Sequence, residues 1–183
     1  VVITRAKETV TFPASFLLIS AMNPCPCGYL GDSIKNCTCE PYAIERYRRK
    51  ISGPLLDRFD IHLEVARVKY QDLVSERKGM DSNSMRNIVN KVRTIQKDRL
   101  KKHGILTNSQ ITPELIKKYC CPDEDAASLL RQAVNELGLS ARAYHKILRV
   151  ARTIADIANC EHIDASHVSE AIQYRSLDRT LSH

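Results

Sequence analysis

The stretch Phe16–Gly28, FLLISAMNPCPCG, joins an apolar run to a polar amide and two cysteines. An apolar run without polar alternation is typical of a strand that is buried on both faces of a parallel sheet. In such sheets, ligands bind beyond the carboxyl end of a strand. Asn23 lies at that end, and a buried amide needs a hydrogen-bonding partner. The stretch therefore predicts an α/β core with a functional site at Asn23.

Strand signals lie on both sides of this run. Val1–Thr4 and Thr9–Phe12 are strand-like and flank a charged tip, so they predict a β-hairpin. Ile61–Val65 alternates like a strand with one covered face. We therefore expect residues 1–78 to form the carboxy-terminal half of an α/β core.

The character of the sequence changes after the polar residues 81–84, which predict a linker. Later apolar residues recur at helical spacing, and capping residues mark the ends of the helices. Asp123 or Asp125 is expected to begin a helix that ends at Gly138, and Ser140 and Asp164 to begin the next two. We expect residues 84–183 to form an all-α bundle.

A cysteine cluster follows the apolar run with the spacing Cys-x-Cys-x9-Cys-x-Cys, and consists of Cys25, Cys27, Cys37 and Cys39. A structural zinc site takes four thiolate or imidazole ligands, which two close pairs supply. Two disulfides and four free thiols are the alternatives. We favour zinc because the loop holds few apolar residues and needs another source of order. The remaining cysteines fall in helical patterns and are predicted to be buried: Cys120, Cys121 and Cys160.

Composition limits the class of protein. The 183 residues are 43% hydrophobic, with a net charge of +7 and a pI near 9.1. No apolar run reaches the length of a membrane span and no secretory signal is visible, so we expect a cytoplasmic protein in which disulfides are rare. The positive charge permits a nucleic-acid partner without requiring one.

Four sequence blocks occur in a fixed order and span nearly the whole chain: Phe12–Gly28, Gly53–Asp60, Leu139–Ile147 and Ala171–Arg175. Together they resemble the magnesium-chelatase-like branch of the AAA+ ATPases, and more narrowly its ComM branch. The resemblance implies an AAA+ core followed by a helical lid, a hexameric ring, and the use of ATP and Mg²⁺. No Gly-x4-Gly-Lys-Ser/Thr phosphate loop occurs, so the resemblance places that loop before Val1. We therefore expect no ATP hydrolysis by this chain alone.

The resemblance also implies roles for three residues. Asn23 matches sensor 1, which orients the attacking water near the γ-phosphate. Arg58 matches the arginine finger, which reaches the neighbouring subunit's nucleotide, and Arg142 matches sensor 2, which reaches the nucleotide from the lid. Without the resemblance, these would be a turn residue, an ion-pair partner of nearby aspartates and a solvated helix residue.

The hairpin tip carries Arg5 and Lys7, and in this AAA+ branch the hairpin before sensor 1 points into the ring's central pore. The resemblance therefore implies that both residues contact DNA phosphates. The basic residues of 84–103 are instead expected to form a solvated face. The implied function is a hexameric motor that drives branch migration of DNA in transformation or recombination. The alternatives are a magnesium-chelatase ATPase subunit of tetrapyrrole synthesis, which lacks the cysteine loop, and a non-enzymatic zinc-stapled DNA-binding module.

Overall fold

The computed structural model describes residues 1–5, 8–68, 70–74 and 79–175. The chain divides into two compact units, Val1–Arg48 and Arg49–His183. Among the described residues, the first unit holds one small sheet and one helix, and the second is helical. The predicted domain boundary between residues 78 and 84 stays a prediction. The linker predicted at residues 81–84 is wrong, because the Asp81 side chain caps a helix that begins at Ser82.

The first unit begins with the predicted hairpin. β1 (Val2–Arg5) pairs with β2 (Glu8–Thr11) in an antiparallel register that sets Arg5 opposite Glu8. The ladder extends one step further, because the backbone N–H of Phe12 donates to the carbonyl oxygen of Val1 at 2.8 Å. Both strands are exposed along their whole length. The predicted hairpin is confirmed, although Lys7 lies outside the described residues.

The buried strand predicted over residues 16–22 is wrong for the structure of this chain. This part of the described chain has no strand, and Leu17 and Ile19 are 84% and 83% exposed. The α/β core is therefore not confirmed, and the observed fold is mostly helical with a two-stranded sheet. A strand needs at least one neighbouring strand for its hydrogen bonds, and the described residues supply none here.

Short helices follow the cysteine loop. α1 (Pro41–Arg48) begins at the predicted proline, and α2 (Gly53–Leu56) is capped by the Ser52 hydroxyl, which accepts from the N–H of Leu55. α3 spans Tyr70–Leu73. The strand predicted at 61–65 is wrong: those residues belong to no strand, and the N–H of His62 donates to the carbonyl oxygen of Tyr174 at 2.7 Å.

In the described part of the second unit, five helices form the bundle, with two single turns of 3₁₀ helix between the first two. They are α4 (Ser82–Leu100), α5 (Pro113–Tyr119), α6 (Glu124–Leu137), α7 (Ala141–Ile157) and α8 (Ala165–Gln173). The N-caps of α6, α7 and α8 are those predicted from sequence, with Asp123 rather than Asp125 before α6. Asp81 before α4 and Thr112 before α5 were not predicted. Gly138 ends α6 at φ 60°, a left-handed conformation that glycine adopts without strain. No described helix combines the length and the apolar character needed to cross a membrane.

The core of the bundle draws buried apolar residues from all five helices, α4 to α8. α7 is central, because its apolar residues recur every three or four positions and it packs against α4, α5 and α8. Its fully buried residues include Ile147, Leu148, Ala151 and Ala155. Cys120 joins this core as predicted, and burial raises the pKa of its thiol to about 11. The predictions for Cys121 and Cys160 are wrong, since both thiols are exposed.

A buried charged network ties α4 to α7. The Asp156 side chain is 1% exposed and accepts from Arg99 Nη1 at 2.8 Å and from Arg152 Nε at 3.0 Å. Asn108 Nδ2 donates to the same carboxylate at 2.9 Å. Each oxygen of this carboxylate therefore has partners, which is the condition under which a buried charge is tolerated.

Candidate functional site

The first unit brings the four sulfurs of the cysteine cluster together. All four Sγ atoms lie within 4.8 Å of one another. Cys25 Sγ is 3.4 Å from Cys27 Sγ and 3.6 Å from Cys37 Sγ. These distances exceed the roughly 2.05 Å of a disulfide bond and approach the roughly 3.8 Å edge of a tetrahedron with Zn–S bonds of about 2.3 Å. The arrangement of donors fits one tetrahedral metal ion.

Turns in the loop bring the two cysteine pairs together. Gly28 and Gly31 adopt φ of 83° and 81°, which other residues reach only with strain. The Asp32 carboxylate accepts from the N–H of Ile34 at 2.7 Å and from that of Lys35 at 3.0 Å, which closes a second turn. The chain reverses between the pairs, so the second pair meets the first.

Backbone amides are aimed at the sulfurs. The N–H of Cys27 donates to Cys39 Sγ at 3.4 Å, and that of Cys39 donates to Cys37 Sγ at 3.5 Å. Donors at Tyr29 and Thr38 lower the pKa of Cys27 to about 6. For Cys39, the N–H of Cys27 acts to lower the pKa, but desolvation and the neighbouring thiols together raise it to about 12. Four thiolates this close together repel one another, so full ionisation requires a cation.

The second unit positions Arg142 in the first turn of α7, as the sequence predicts. The Ser140 hydroxyl accepts from the N–H of Ala143 at 3.0 Å and so begins the helix. Arg142 is 53% exposed at its side chain, and its Nη1 donates to Asp57 Oδ2 at 3.2 Å. The N-terminal end of a helix carries partial positive charge, and the guanidinium adds a full charge at the same place.

Arg58 follows α2 in the turn that ends that helix. Its N–H donates to the carbonyl oxygen of Leu55 at 3.0 Å, and its Nη1 donates to the carbonyl oxygen of Pro54 at 2.6 Å. The Arg58 side chain is exposed, while its own carbonyl oxygen accepts from the Nζ of Lys146 on α7. Arg58 is therefore attached to the helical bundle through its backbone.

A cationic cavity of about 530 Å³ lies where these two arginines meet. It opens to solvent and is lined by Arg58, Ala141, Arg142, His145, Lys146 and Arg149. Three guanidinium groups, one lysine and one histidine thus line one space, and Arg142 and Lys146 pair with the carboxylates of Asp57 and Asp60. The excess of positive side chains and the N-terminal end of α7 both favour an anion with several oxygens, such as phosphate.

The predicted site residues divide between the two units. Arg58 and Arg142 share the cationic cavity, whereas Arg5 and the cysteine cluster belong to the first unit. Asn23 also lies there and is exposed. Its amide lies beside Gly28, so a side chain at that position would contact it. Its predicted role in orienting water stays a prediction.

Sequence reasoning missed three residues around the cavity. Lys146 and Arg149 lie four and seven positions after Arg142, which is the spacing of one helix face, so the sequence held a signal for both. Asp57 gave no such signal. It contacts Arg142 across 85 positions of sequence, a pairing that only the folded chain reveals.

Comparison with known families identifies the class of protein. Residues 79–175 match the family model described as "Magnesium chelatase, subunit ChlI C-terminal", and residues 1–73 match "Magnesium chelatase, subunit ChlI". The chain belongs to the magnesium chelatase family.

Individual relatives extend this assignment along the whole chain. The competence protein ComM of Haemophilus influenzae is 39% identical over 182 residues, which cover 99% of this chain. The uncharacterized protein YifB of Salmonella typhimurium is 38% identical over 183 residues, and the uncharacterized protein Rv2897c of Mycobacterium tuberculosis is 31% identical over 173. The chain spans about a third of the length of these relatives: 35% of the first two and 34% of the third.

Proposed function

We propose that this chain is part of an AAA+ ATPase motor that acts on DNA, and that the cationic cavity receives the terminal phosphate of ATP. The observation that carries the proposal is the meeting of Arg58 and Arg142 at one open cavity. A guanidinium keeps its charge at any working pH, and its planar fork matches phosphate oxygens. Charge that develops on a transferring phosphoryl group is stabilised by such donors.

Both arginines act on the same nucleotide in this proposal. Sequence reasoning assigned Arg58 to a neighbouring subunit's nucleotide and Arg142 to the nucleotide of its own lid. Both arginines line one cavity within one compact unit. A single phosphate group in that cavity would therefore contact both of them. In a hexameric ring, the phosphate loop and Mg²⁺ of the adjoining subunit would face this cavity, with Asn23 orienting water at its own subunit's nucleotide.

The proposed action on DNA rests on the resemblance to the ComM branch, and the relative from Haemophilus influenzae that is 39% identical is named a competence protein. A branch-migration motor for transformation or recombination is the form of this function that we propose. The second candidate is a magnesium-chelatase ATPase subunit, which the family descriptions favour. Stimulation of magnesium insertion into protoporphyrin would identify that candidate. A zinc-stapled DNA-binding module without ATPase activity would bind DNA independently of Arg58 and Arg142.

We also propose that the cysteine cluster holds a structural Zn²⁺ ion. All four ligands would come from the protein, which leaves no open coordination position for catalysis. The ion would cross-link the two ends of the loop after Asn23. The role of the metal is then to order the loop beside the proposed sensor, rather than to take part in hydrolysis.

The test of the motor proposal is the Arg58→Ala substitution in the full-length protein. We expect ATP hydrolysis to fall by at least about 100-fold, because the transition state loses a charged donor. Strand displacement of a branched DNA substrate should fall with it. Arg131→Ala on the exposed face of α6 is the matched control and should leave both rates unchanged. Hydrolysis that survives Arg58→Ala at the normal rate would rule out the proposed role of the cavity.

The proposed role of the β1–β2 hairpin leads to a second prediction, which concerns DNA binding. Replacing both Arg5 and Lys7 with alanine in the full-length protein is expected to weaken DNA binding about tenfold at low salt and to reduce its salt dependence, because two phosphate contacts are lost. Fluorescence anisotropy with a labelled duplex measures both quantities. The exposed pair Lys117 and Lys118 on α5 provides a control of equal charge. Equal losses in both double variants would mean that net charge, rather than the hairpin, sets the affinity.

A further inference from the structure

One carboxylate joins the residues around the cationic cavity. Asp57 Oδ1 accepts from Ser140 Oγ at 3.0 Å and from Arg175 Nη2 at 3.4 Å, while Oδ2 accepts from Arg142 Nη1 at 3.2 Å. The three donors come from the cap of α7, its first turn, and the residues after α8. Asp57 thereby connects the short helix α2 to two helices of the bundle.

Further bonds hold the chain from the carbonyl group of Arg58 to Asp60. Lys146 Nζ donates to the carbonyl oxygen of Arg58 and pairs with Asp60 Oδ1 at 2.8 Å. Arg175 Nη1 donates to the carbonyl oxygen of Phe59. The side chains of Lys146 and Arg175 are 9% and 1% exposed, so these bonds lie largely away from water. The backbone that carries Arg58 is therefore fixed to α7, while its guanidinium stays exposed.

We propose that Asp57 is a positioning residue that holds Arg142 beside Arg58 so that the two guanidinium groups meet the same phosphate. This inference rests on the proposed function of the cavity. Two guanidinium groups that line one cavity repel each other, and a carboxylate that is hydrogen-bonded to one of them offsets that repulsion. Donors held in place before the nucleotide arrives need no rearrangement during reaction.

Asp57 acts through Arg142 and does not bind the nucleotide. Its carboxylate is 24% exposed and both of its oxygens face positively charged or hydroxyl donors. A negative charge would also repel phosphate at short range. The contribution of Asp57 to hydrolysis must therefore disappear once Arg142 is removed, which a residue that supports the fold alone would not require.

The experiment is a double-mutant cycle on ATP hydrolysis by the full-length protein, with Asp57→Asn, Arg142→Ala and the combined variant. We expect kcat/KM to fall about tenfold for Asp57→Asn and about 100-fold for Arg142→Ala. The combined variant should be no slower than Arg142→Ala alone. Asp98→Asn, which removes an exposed carboxylate on α4, is the matched control and should hydrolyse at the normal rate. If the two single losses multiply in the combined variant, the inference is wrong.

Asp57→Glu keeps the charge and moves it by one methylene group, so it should retain more activity than Asp57→Asn. If both variants lose the helical circular-dichroism signal of the bundle, Asp57 is a structural residue and the inference fails. The outcomes separate the inference from the proposed function. Normal hydrolysis by Arg58→Ala and Arg142→Ala would overturn the function, whereas large losses in those variants with a normal rate for Asp57→Asn would overturn only the role of Asp57.

Discussion

Replacing Cys37 and Cys39 together with serine is expected to abolish metal binding and to unfold the loop over residues 24–40. The wild-type protein, purified with zinc in the medium, should carry about one equivalent of zinc per chain, and the variant under about half. Structural zinc contributes about 10–16 kcal/mol in small zinc-dependent folds, so no other change proposed for this chain has a larger expected effect. The sulfurs of the cysteine cluster lie within 4.8 Å of one another, and without a cation their ionised forms repel.

Metal analysis of freshly purified protein measures the zinc content, and limited proteolysis measures the order of the loop. Cys121→Ser is the control, because its thiol is exposed and lies outside the cluster. That variant should keep its metal and its resistance to protease. A doubly substituted protein with a full equivalent of zinc and an intact loop would disprove the metal site.

Replacing Asp156 with alanine is expected to lower the free energy of unfolding of the helical bundle by about 3–5 kcal/mol. The substitution leaves Arg99 and Arg152 without their shared counter-charge. Arg152 is 4% exposed at its side chain, so water replaces the lost carboxylate poorly. Denaturant unfolding followed by helical circular dichroism measures the change, since α4 to α8 supply most of that signal.

The control for this prediction is Asp98→Ala on α4. Asp98 is 64% exposed and pairs with Lys101 three positions later. Exposed pairs of this kind contribute little, so the change should stay within about 0.5 kcal/mol. A cost for Asp156→Ala as small as that of the control would mean that the buried network does not stabilise the bundle.

Local sequence signals predicted the helical bundle well. Ser140 and Asp164 begin α7 and α8 because their side chains accept hydrogen bonds from backbone N–H groups two or three positions later. Gly138 ends α6 because it adopts a left-handed conformation. The same cap placed Arg142 in the first turn of α7. A site residue could thus be positioned from sequence wherever one helix carries it.

Sequence patterns did not predict features that depend on residues far away along the chain. The apolar run at 16–22 has the composition of a buried strand, but a strand forms only where a neighbouring strand accepts its hydrogen bonds. The attachment of Arg58 to the bundle depends on Asp57, Lys146 and Arg175, of which the last two lie 88 and 117 positions after Arg58. No spacing rule for helices or strands reaches across such separations.

The exposed run Phe16–Met22 has a practical consequence for handling this polypeptide. Phe16, Leu17 and Ile19 are each more than 70% exposed, and Leu18 between them is 55% exposed. A contiguous exposed apolar surface of this kind drives association between molecules in concentrated solution. Dilute samples and a mild detergent therefore suit the isolated polypeptide better than the concentrated stocks used for crystallisation.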